Sequence, residues 1–243
     1  MKTGLILSLT AAIVIPAAYA DNIAVNSSGT VTFLPNGTST TTDFPYAFTA
    51  ADFASAQTGA NASILTTTPF YITAASLTTA GAQWIGTSAG AGSGSTRDYT
   101  ALYAIDFTIP DTFVSGSLTL NYEVDNALGD TNPGIYINGT ALPSSTGIPC
   151  GAGAACRTNY KALQTYADTN VTADLLQGKN WLYIDAVNLG GEGGLIFSAN
   201  ISTVNSTATP EPSTLWMLGT GLLVLGAASR RKWQHSHRVS VSK

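Results

Sequence analysis

Residues 101–124 read ALYAIDFTIPDTFVSGSLTLNYEV, and this stretch decides the fold class of the chain. Within 101–109, and again within 118–124, apolar and polar side chains alternate with a period of two residues, as in a β-strand with one buried face. The second run places Leu118, Leu120, Tyr122 and Val124 on the apolar face and Thr119, Asn121 and Glu123 on the polar face. The stretch therefore predicts two strands that each bury one face.

Similar runs occur along the rest of the chain. They predict further strands at 70–77, 134–138, 181–187 and 195–204, separated by turns such as Ile109-Pro110-Asp111 and Asn138-Gly139-Thr140. The only helical pattern between them is a short piece around residues 50–56. Many short strands without intervening helices predict an all-β fold, an antiparallel β-sandwich or jelly roll, over residues 21–204.

Charge is distributed unevenly along the 243 residues. The whole chain carries a net charge of −4, but residues 21–209 hold thirteen acidic and only four basic side chains, a charge of −9. So few cations cannot cover a phosphate backbone, which excludes general nucleic-acid binding. Both histidines, His235 and His237, lie near the C-terminus, so the body has no imidazole for a nucleophilic or zinc site.

The N-terminus has the pattern of a secretory signal peptide over residues 1–20. Lys2 provides the positive end, residues 5–15 are apolar, and Ala18 and Ala20 form a small-x-small cleavage site. Signal peptidase is therefore expected to leave Asp21 as the first residue. The apolar run is too short to favour a permanent membrane helix.

The C-terminus contains three consecutive signals. Residues 205–214 form a linker that includes Pro210, Glu211 and Pro212, residues 215–229 are uncharged and mostly apolar, and Arg230, Arg231 and Lys232 open the basic tail 230–243. This order predicts one short transmembrane helix at 215–229, with the tail in the cytoplasm. A buried core helix is the alternative, because apolar runs of this length also occur inside domains.

These C-terminal signals resemble a PEP-CTERM sorting signal over residues 209–232. The resemblance implies export through the inner membrane of a Gram-negative bacterium and transient anchoring there. It also implies cleavage by an exosortase near Pro210, Glu211 and Pro212, which would place the protein at the cell surface or outside the cell. A proline-rich stalk before a permanent anchor is the alternative.

The body has a resemblance of its own over residues 60–204. Its order of strands, with Asp125-Asn126, Asn138-Gly139 and Gly178-Lys179-Asn180 between them, is similar to that of galactose-binding-like jelly rolls attached to PEP-CTERM tails. The resemblance implies the fold, while the same residues also suit tight turns.

Cys150 and Cys156 bracket five small residues. In an exported chain this spacing predicts a local disulfide, and a two-cysteine metal site or a reactive dithiol is the alternative.

The loop 125–132 concentrates oxygen donors. Asp125, Asn126, Asp130 and Asn132 are side chains of the kind that bind Ca²⁺, which makes calcium the one cofactor that the sequence suggests. The alternative is a turn whose Asp and Asn side chains cap their own backbone.

Three aromatic residues, Trp84, Tyr136 and Trp181, are candidates for a sugar-stacking platform, with core packing as the alternative. A glycosidase would need two positioned carboxylates, and no sequence pattern pairs Glu123, Asp125, Asp185 or Glu192. Glu123 is expected on a solvent-exposed strand face.

The sequence thus favours a non-catalytic surface or matrix protein of a biofilm, associated with exopolysaccharide. A carbohydrate-binding module and a glycan-active enzyme are the two alternatives.

Overall fold

The computed structural model describes residues 19–36, 43–66, 73–88, 100–145, 160–188 and 193–205, together with 219, 221 and 222. Residues 20–205 form a compact body of their own. No helix within these described segments is long and apolar enough to cross a membrane. Almost all of the predicted helix 215–229, and residues 1–18 of the predicted signal peptide, lie outside the described residues.

The body is built mainly from β-strands, with two short helices among the described residues. The elements in chain order are β1 (Ala20–Asn26), β2 (Thr32–Pro35), α1 (Ala50–Gln57), β3 (Ala60–Asn61), β4 (Ser63–Ile64), α2 (Ala75–Thr79), β5 (Ile85–Gly86), β6 (Ala101–Ile109), β7 (Phe113–Asp125), β8 (Ala127–Leu128), β9 (Ile135–Ile137), β10 (Thr140–Ala141), β11 (Gln164–Asp168), β12 (Gly178–Val187) and β13 (Gly194–Asn205).

The strands form two antiparallel sheets. The six-stranded sheet has the order β11-β7-β13-β5-β4, with β1 also pairing with β13. The seven-stranded sheet has the order β10-β9-β12-β6-β2-β3, with β8 also pairing with β12. The long central strands set the registers, with Leu120 opposite Ala199 in one sheet and Ile105 opposite Leu182 in the other.

The main core lies between the inner faces of the two sheets. Alternate residues of the central strands supply it, including Leu118, Leu120 and Val124 of β7 and Tyr103 and Phe107 of β6. These are the apolar sides of the two runs in residues 101–124, so the predicted strands and their buried faces are confirmed. The two packed antiparallel sheets confirm the predicted sandwich architecture.

Short elements cover parts of the outer faces. Helix α1 begins at a capping box, in which the Asp52 amide donates to the Thr49 hydroxyl and the Thr49 amide donates to the Asp52 carboxylate at 2.8 Å. It buries Phe53 and Ala56, and it confirms the helix expected around residues 50–56.

The strand expected at 70–77 is wrong over its described part. Residues 75–79 form α2, and Leu77 packs with Trp84 and Ile196 in a small outer cluster. Leu77 is the buried residue of this short helix. The alternating pattern at 75–77 therefore belongs to a helix that buries one side chain and not to a strand.

Candidate functional site

The outer face of the six-stranded sheet is polar and open to solvent across β1, β7, β11 and β13. Residues that alternate with the core side chains point outwards here, and their exposed members include Thr119, Thr165 and Asn200. Half-buried serines and asparagines fill the positions between them: Asn26, Ser117, Asn121, Ser198 and Ser202. The surface is therefore an array of hydroxyl and amide groups.

Hydrogen bonds link some of these side chains across the strands. The Thr165 hydroxyl and the Asn121 amide oxygen are 2.8 Å apart, and the Asn200 amide nitrogen lies 3.5 Å from the amide oxygen of Asn22. On these four strands two charged residues, Glu123 and Asp125, occupy outward-facing positions, and both are buried. The array can donate and accept hydrogen bonds without presenting a charge.

Glu123 lies at the end of this face and is only 1% exposed. Its Oε1 accepts a hydrogen bond from the Ala74 amide at 3.0 Å, while Oε2 has no hydrogen-bond partner among the described residues. Burial raises the pKa of its carboxyl, and the Ala74 bond offsets part of that rise. The expectation of a solvent-exposed Glu123 is therefore wrong, because the segment that leads into α2 covers it.

The outer face of the seven-stranded sheet is covered by aromatic side chains. Phe53 of α1 packs against Tyr183 and Tyr136 with ring centroids 4.7 Å and 5.2 Å apart, and Phe48 packs edge-on against Tyr136 at 5.6 Å. Phe44 continues this layer, 4.7 Å from Phe48. We call these five rings the aromatic cover.

A pair of acidic residues is buried on the same sheet. Asp185 of β12 is fully buried and Asp43 is 2% exposed. Burial raises the pKa of Asp185 well above its ordinary value, and the Asp43 carboxyl and the charge of Asp130 raise it further. Asp43 and Asp185 also raise the pKa of Tyr136, after the larger effect of burial. No sequence pattern points to Asp43, and Asp185 stands in the sequence only as an unpaired carboxylate.

The four residues of the predicted calcium loop separate into two groups. Asp125 and Asn126 bond to each other, with the Asn126 amide 2.8 Å from Asp125 Oδ1. Asp130 and Asn132 instead donate their backbone amides to Asp43. Within the described residues there is no group of three or more His, Cys, Asp or Glu side chains arranged to hold a metal. The bond between Asp125 and Asn126 joins two side chains, so the backbone-capping alternative stays a prediction.

The three candidate sugar-binding aromatics do not form one platform. Trp84 is buried beside Leu77, and its indole nitrogen donates to the Thr73 hydroxyl at 2.8 Å. Tyr136 is buried in the aromatic cover. Trp181 is partly exposed, but it stacks on Tyr183 at 6.3 Å and carries the Lys179 ammonium 4.5 Å from its ring centre.

The Asn-Gly and Gly-x-Asn motifs of the body have a structural role. Asn138 and Gly139 both have positive φ, 52° and 87°, and make the two-residue turn between β9 and β10. The Asn138 amide donates to Asn180 Oδ1 at 2.8 Å, and the buried Asn180 also binds the backbone of Leu176. These motifs therefore lock one end of the seven-stranded sheet.

Most residues of the terminal signals, and both cysteines of the body, lie outside the described residues. The disulfide and the cleavage sites therefore stay predictions. The predicted residues concerned are Ala18, Cys150, Cys156, Pro210, Glu211, Pro212, Arg230, Arg231 and Lys232. Ala20 and Asp21 are described, and they open β1 opposite Val204 and Thr203 of β13. The expected mature N-terminus therefore coincides with the first strand.

Two packed antiparallel sheets, one with an open polar face and one with an aromatic cover, define the described body as a β-sandwich. A PEP-CTERM protein-sorting motif matches residues 208–232, which confirms the resemblance noted for the C-terminus. The chain is thus an exported protein that an exosortase sorts, anchored through its C-terminal region before it reaches the surface. No curated protein matches the chain.

Proposed function

We propose that the body is a non-catalytic surface or matrix protein that associates with exopolysaccharide through the outer face of the six-stranded sheet. The observation that carries this proposal is the array of exposed hydroxyl and amide groups on β1, β7, β11 and β13. Sugar hydroxyls form hydrogen bonds with the same groups. The PEP-CTERM sorting motif supports the proposal because it implies export to the surface, where a surface polysaccharide would be accessible.

Charge supports the choice of this face. The body carries an excess of acidic side chains, which repel an acidic polysaccharide at low salt. The outward-facing residues of the six-stranded sheet lack this charge apart from Glu123 and Asp125, which are both buried. An acidic or a neutral polymer can therefore approach here with the least electrostatic cost.

The buried acidic pair favours a structural role over a catalytic one. Asp43 and Asp185 lie beneath other residues, with exposures of 2% and 0%. A glycosidase needs its two carboxylates on either side of a bound sugar, and a covered pair does not reach one. The faces of Trp181 are engaged by Tyr183 and Lys179, so no observation favours an aromatic sugar site.

The test is affinity electrophoresis of the processed, purified protein in gels that contain alginate, as an acidic polysaccharide, or dextran, as a neutral one. We expect retardation by at least one of them. The triple variant Thr119→Ala, Thr165→Ala and Asn200→Ala removes three exposed polar groups and should weaken binding at least about tenfold, because each hydrogen bond contributes about 0.5–1.5 kcal/mol.

The matched control removes the same residue types from the other sheet. Thr108, Thr140 and Asn61 are exposed on β6, β10 and β3, and their replacement by alanine should leave retardation unchanged. Free migration of the wild-type protein in both gels, or equal losses in the two triple variants, would contradict the proposed surface.

A further inference from the structure

The first strand of the body begins at the residue that signal peptidase is expected to expose. Strand β1 pairs with β13, and the side chains on the core side of β1 are those of Val25, Ile23 and Asp21. Two apolar residues that pack in or against the main core are thus followed by a carboxylate at the end of the strand. Asp21 is half-buried there, directly opposite Thr203 of β13.

The polar atoms around Asp21 include more acceptors than donors. The side-chain nitrogen of Asn205 lies 3.0 Å from Asp21 Oδ2 and 3.4 Å from Asp111 Oδ2, so one amide group stands between two carboxylates. The Oδ1 atom of Asn205 and the hydroxyl of Thr203, a residue 0% exposed, are buried without a hydrogen-bond partner among the described residues. Buried polar atoms without a partner are costly. This end of the sheet therefore lacks donors and positive charge.

The basic side chains that the structure describes are engaged elsewhere. The Lys179 ammonium lies 3.1 Å from Asp106, and the Lys161 ammonium lies over an aromatic ring. The Lys179–Asp106 contact is the one salt bridge within the described segments of the chain. In that part of the protein, Asp21 and Asp111 therefore have no cationic side chain as a partner.

The backbone nitrogen of Asp21 is directed at β13. The Ser27 amide donates to the Phe197 carbonyl at 3.0 Å, and hydrogen-bonded pairs recur at every second residue of an antiparallel ladder. Counting back along β1 makes Asp21 and Thr203 such a pair, so the Asp21 nitrogen faces the Thr203 carbonyl oxygen. In the uncut chain this nitrogen carries one hydrogen, whereas a free α-ammonium group carries three and a positive charge. Cleavage before Asp21 therefore adds donors and charge where both are missing.

We propose that the α-ammonium group formed when the signal peptide is removed closes an ionic clasp with the side chains of Asp21, Asp111 and Asn205. Hydrolysis breaks the peptide bond between Ala20 and Asp21. The oxygen of the water ends in the Ala20 carboxylate, and its two protons end on the Asp21 nitrogen. The new ammonium neutralises the clasp and fixes β1 to the end of β13, so removal of the targeting segment stabilises the body. The inference rests on the expected cleavage site and does not depend on polysaccharide binding.

The test compares the melting temperatures of two forms of the processed, purified protein at neutral pH, one that begins at Asp21 and one that retains Ala18, Tyr19 and Ala20. Because Ala20 pairs with Val204, contacts alone favour the longer form. The clasp predicts the opposite order, and the form that begins at Asp21 should melt about 2–4 °C higher. Equal melting temperatures, or a more stable longer form, overturn the proposal. So does N-terminal sequencing of the naturally exported protein that starts at another residue.

Two variants, each made in both forms of the protein, separate charge from hydrogen bonding. Asp21→Asn keeps an oxygen that can accept from Asn205 but loses the charge that attracts the ammonium, so the advantage of the shorter form should fall by at least about half. Asp106→Asn removes an exposed carboxylate from the seven-stranded sheet and should leave the advantage unchanged. An advantage kept in full by Asp21→Asn, or reduced equally in the two variants, overturns the assignment.

Discussion

The two sheets present different outer faces although their inner faces follow one rule. Both bury alternate apolar residues in the shared core. Outside, the six-stranded sheet exposes hydroxyl and amide side chains, whereas the seven-stranded sheet lies under α1 and the aromatic cover. The inner faces therefore hold the two sheets together, while the outer faces differ. One outer face carries a second layer of packed side chains, and the other remains exposed to solvent.

The largest effect is expected from removing part of the aromatic cover. Phe53→Ala deletes a buried ring that contacts Tyr136, Tyr183 and Phe48, and should lower the free energy of unfolding by about 3–5 kcal/mol. Urea denaturation measures this loss. Thr119→Ala on the open face is the counterpart and should stay within about 0.5 kcal/mol. Similar losses in the two variants would show that the faces do not differ as described.

A smaller effect is expected from loosening the helix that carries Phe53. Thr49→Ala removes the N-cap of α1 and should cost about 1 kcal/mol in the same urea measurement. Thr49→Ser keeps a hydroxyl that can accept from the Asp52 amide and should retain most of the stability. If the free energy of unfolding of the alanine variant equals that of the wild type, α1 is held by packing alone.

The smallest difference, which vanishes in acid, concerns the covered end of the open face. Burial raises the pKa of the Glu123 carboxyl above 4.5, so the folded state holds this proton more tightly than the unfolded state. Protonated Glu123 therefore stabilises the folded state, and this stabilisation is fully present below about pH 4.5. It is lost as the pH rises through the folded-state pKa of Glu123. Glu123→Gln should match the wild type in acid and exceed it at neutral pH.

Urea denaturation across this pH range compares the Glu123→Gln variant with the wild type. Asp111→Asn, an exposed carboxyl on the turn after β6, controls for the loss of one negative charge. A stability difference that is independent of pH would remove titration of Glu123 as the cause.

Much of the fold could be predicted because its signals are local. Alternation marks β6, β7, β12 and β13, and Asn138-Gly139 marks a tight turn, since these patterns reflect neighbouring residues on one strand or hairpin. The failure at residues 75–77 has the opposite origin. Short helices and outer-face burial depend on which distant residues cover them, and Leu77 meets Ile196 only through the fold.

The candidate sites divide in the same way. Asp185 had a weak local signal, a single acid in the apolar strand 181–187, whereas Asp43 had none. Asp43 and Asp185 are 142 residues apart in the chain, and only folding brings them together. The polar side of β7 could be anticipated, but its neighbours on β1, β11 and β13 depended on strand order.

The sequence by itself determined the sorting signal and the strands of the body. A sorting motif is recognised as a short linear segment by another protein, and a strand is specified by the residues along it, so both can be read from order alone. Only the tertiary structure decided which outer face is covered, that Glu123 is buried, and that Asp43 meets Asp185. These features arise from contacts between distant segments, where burial and charge are set by neighbours that the linear sequence does not identify.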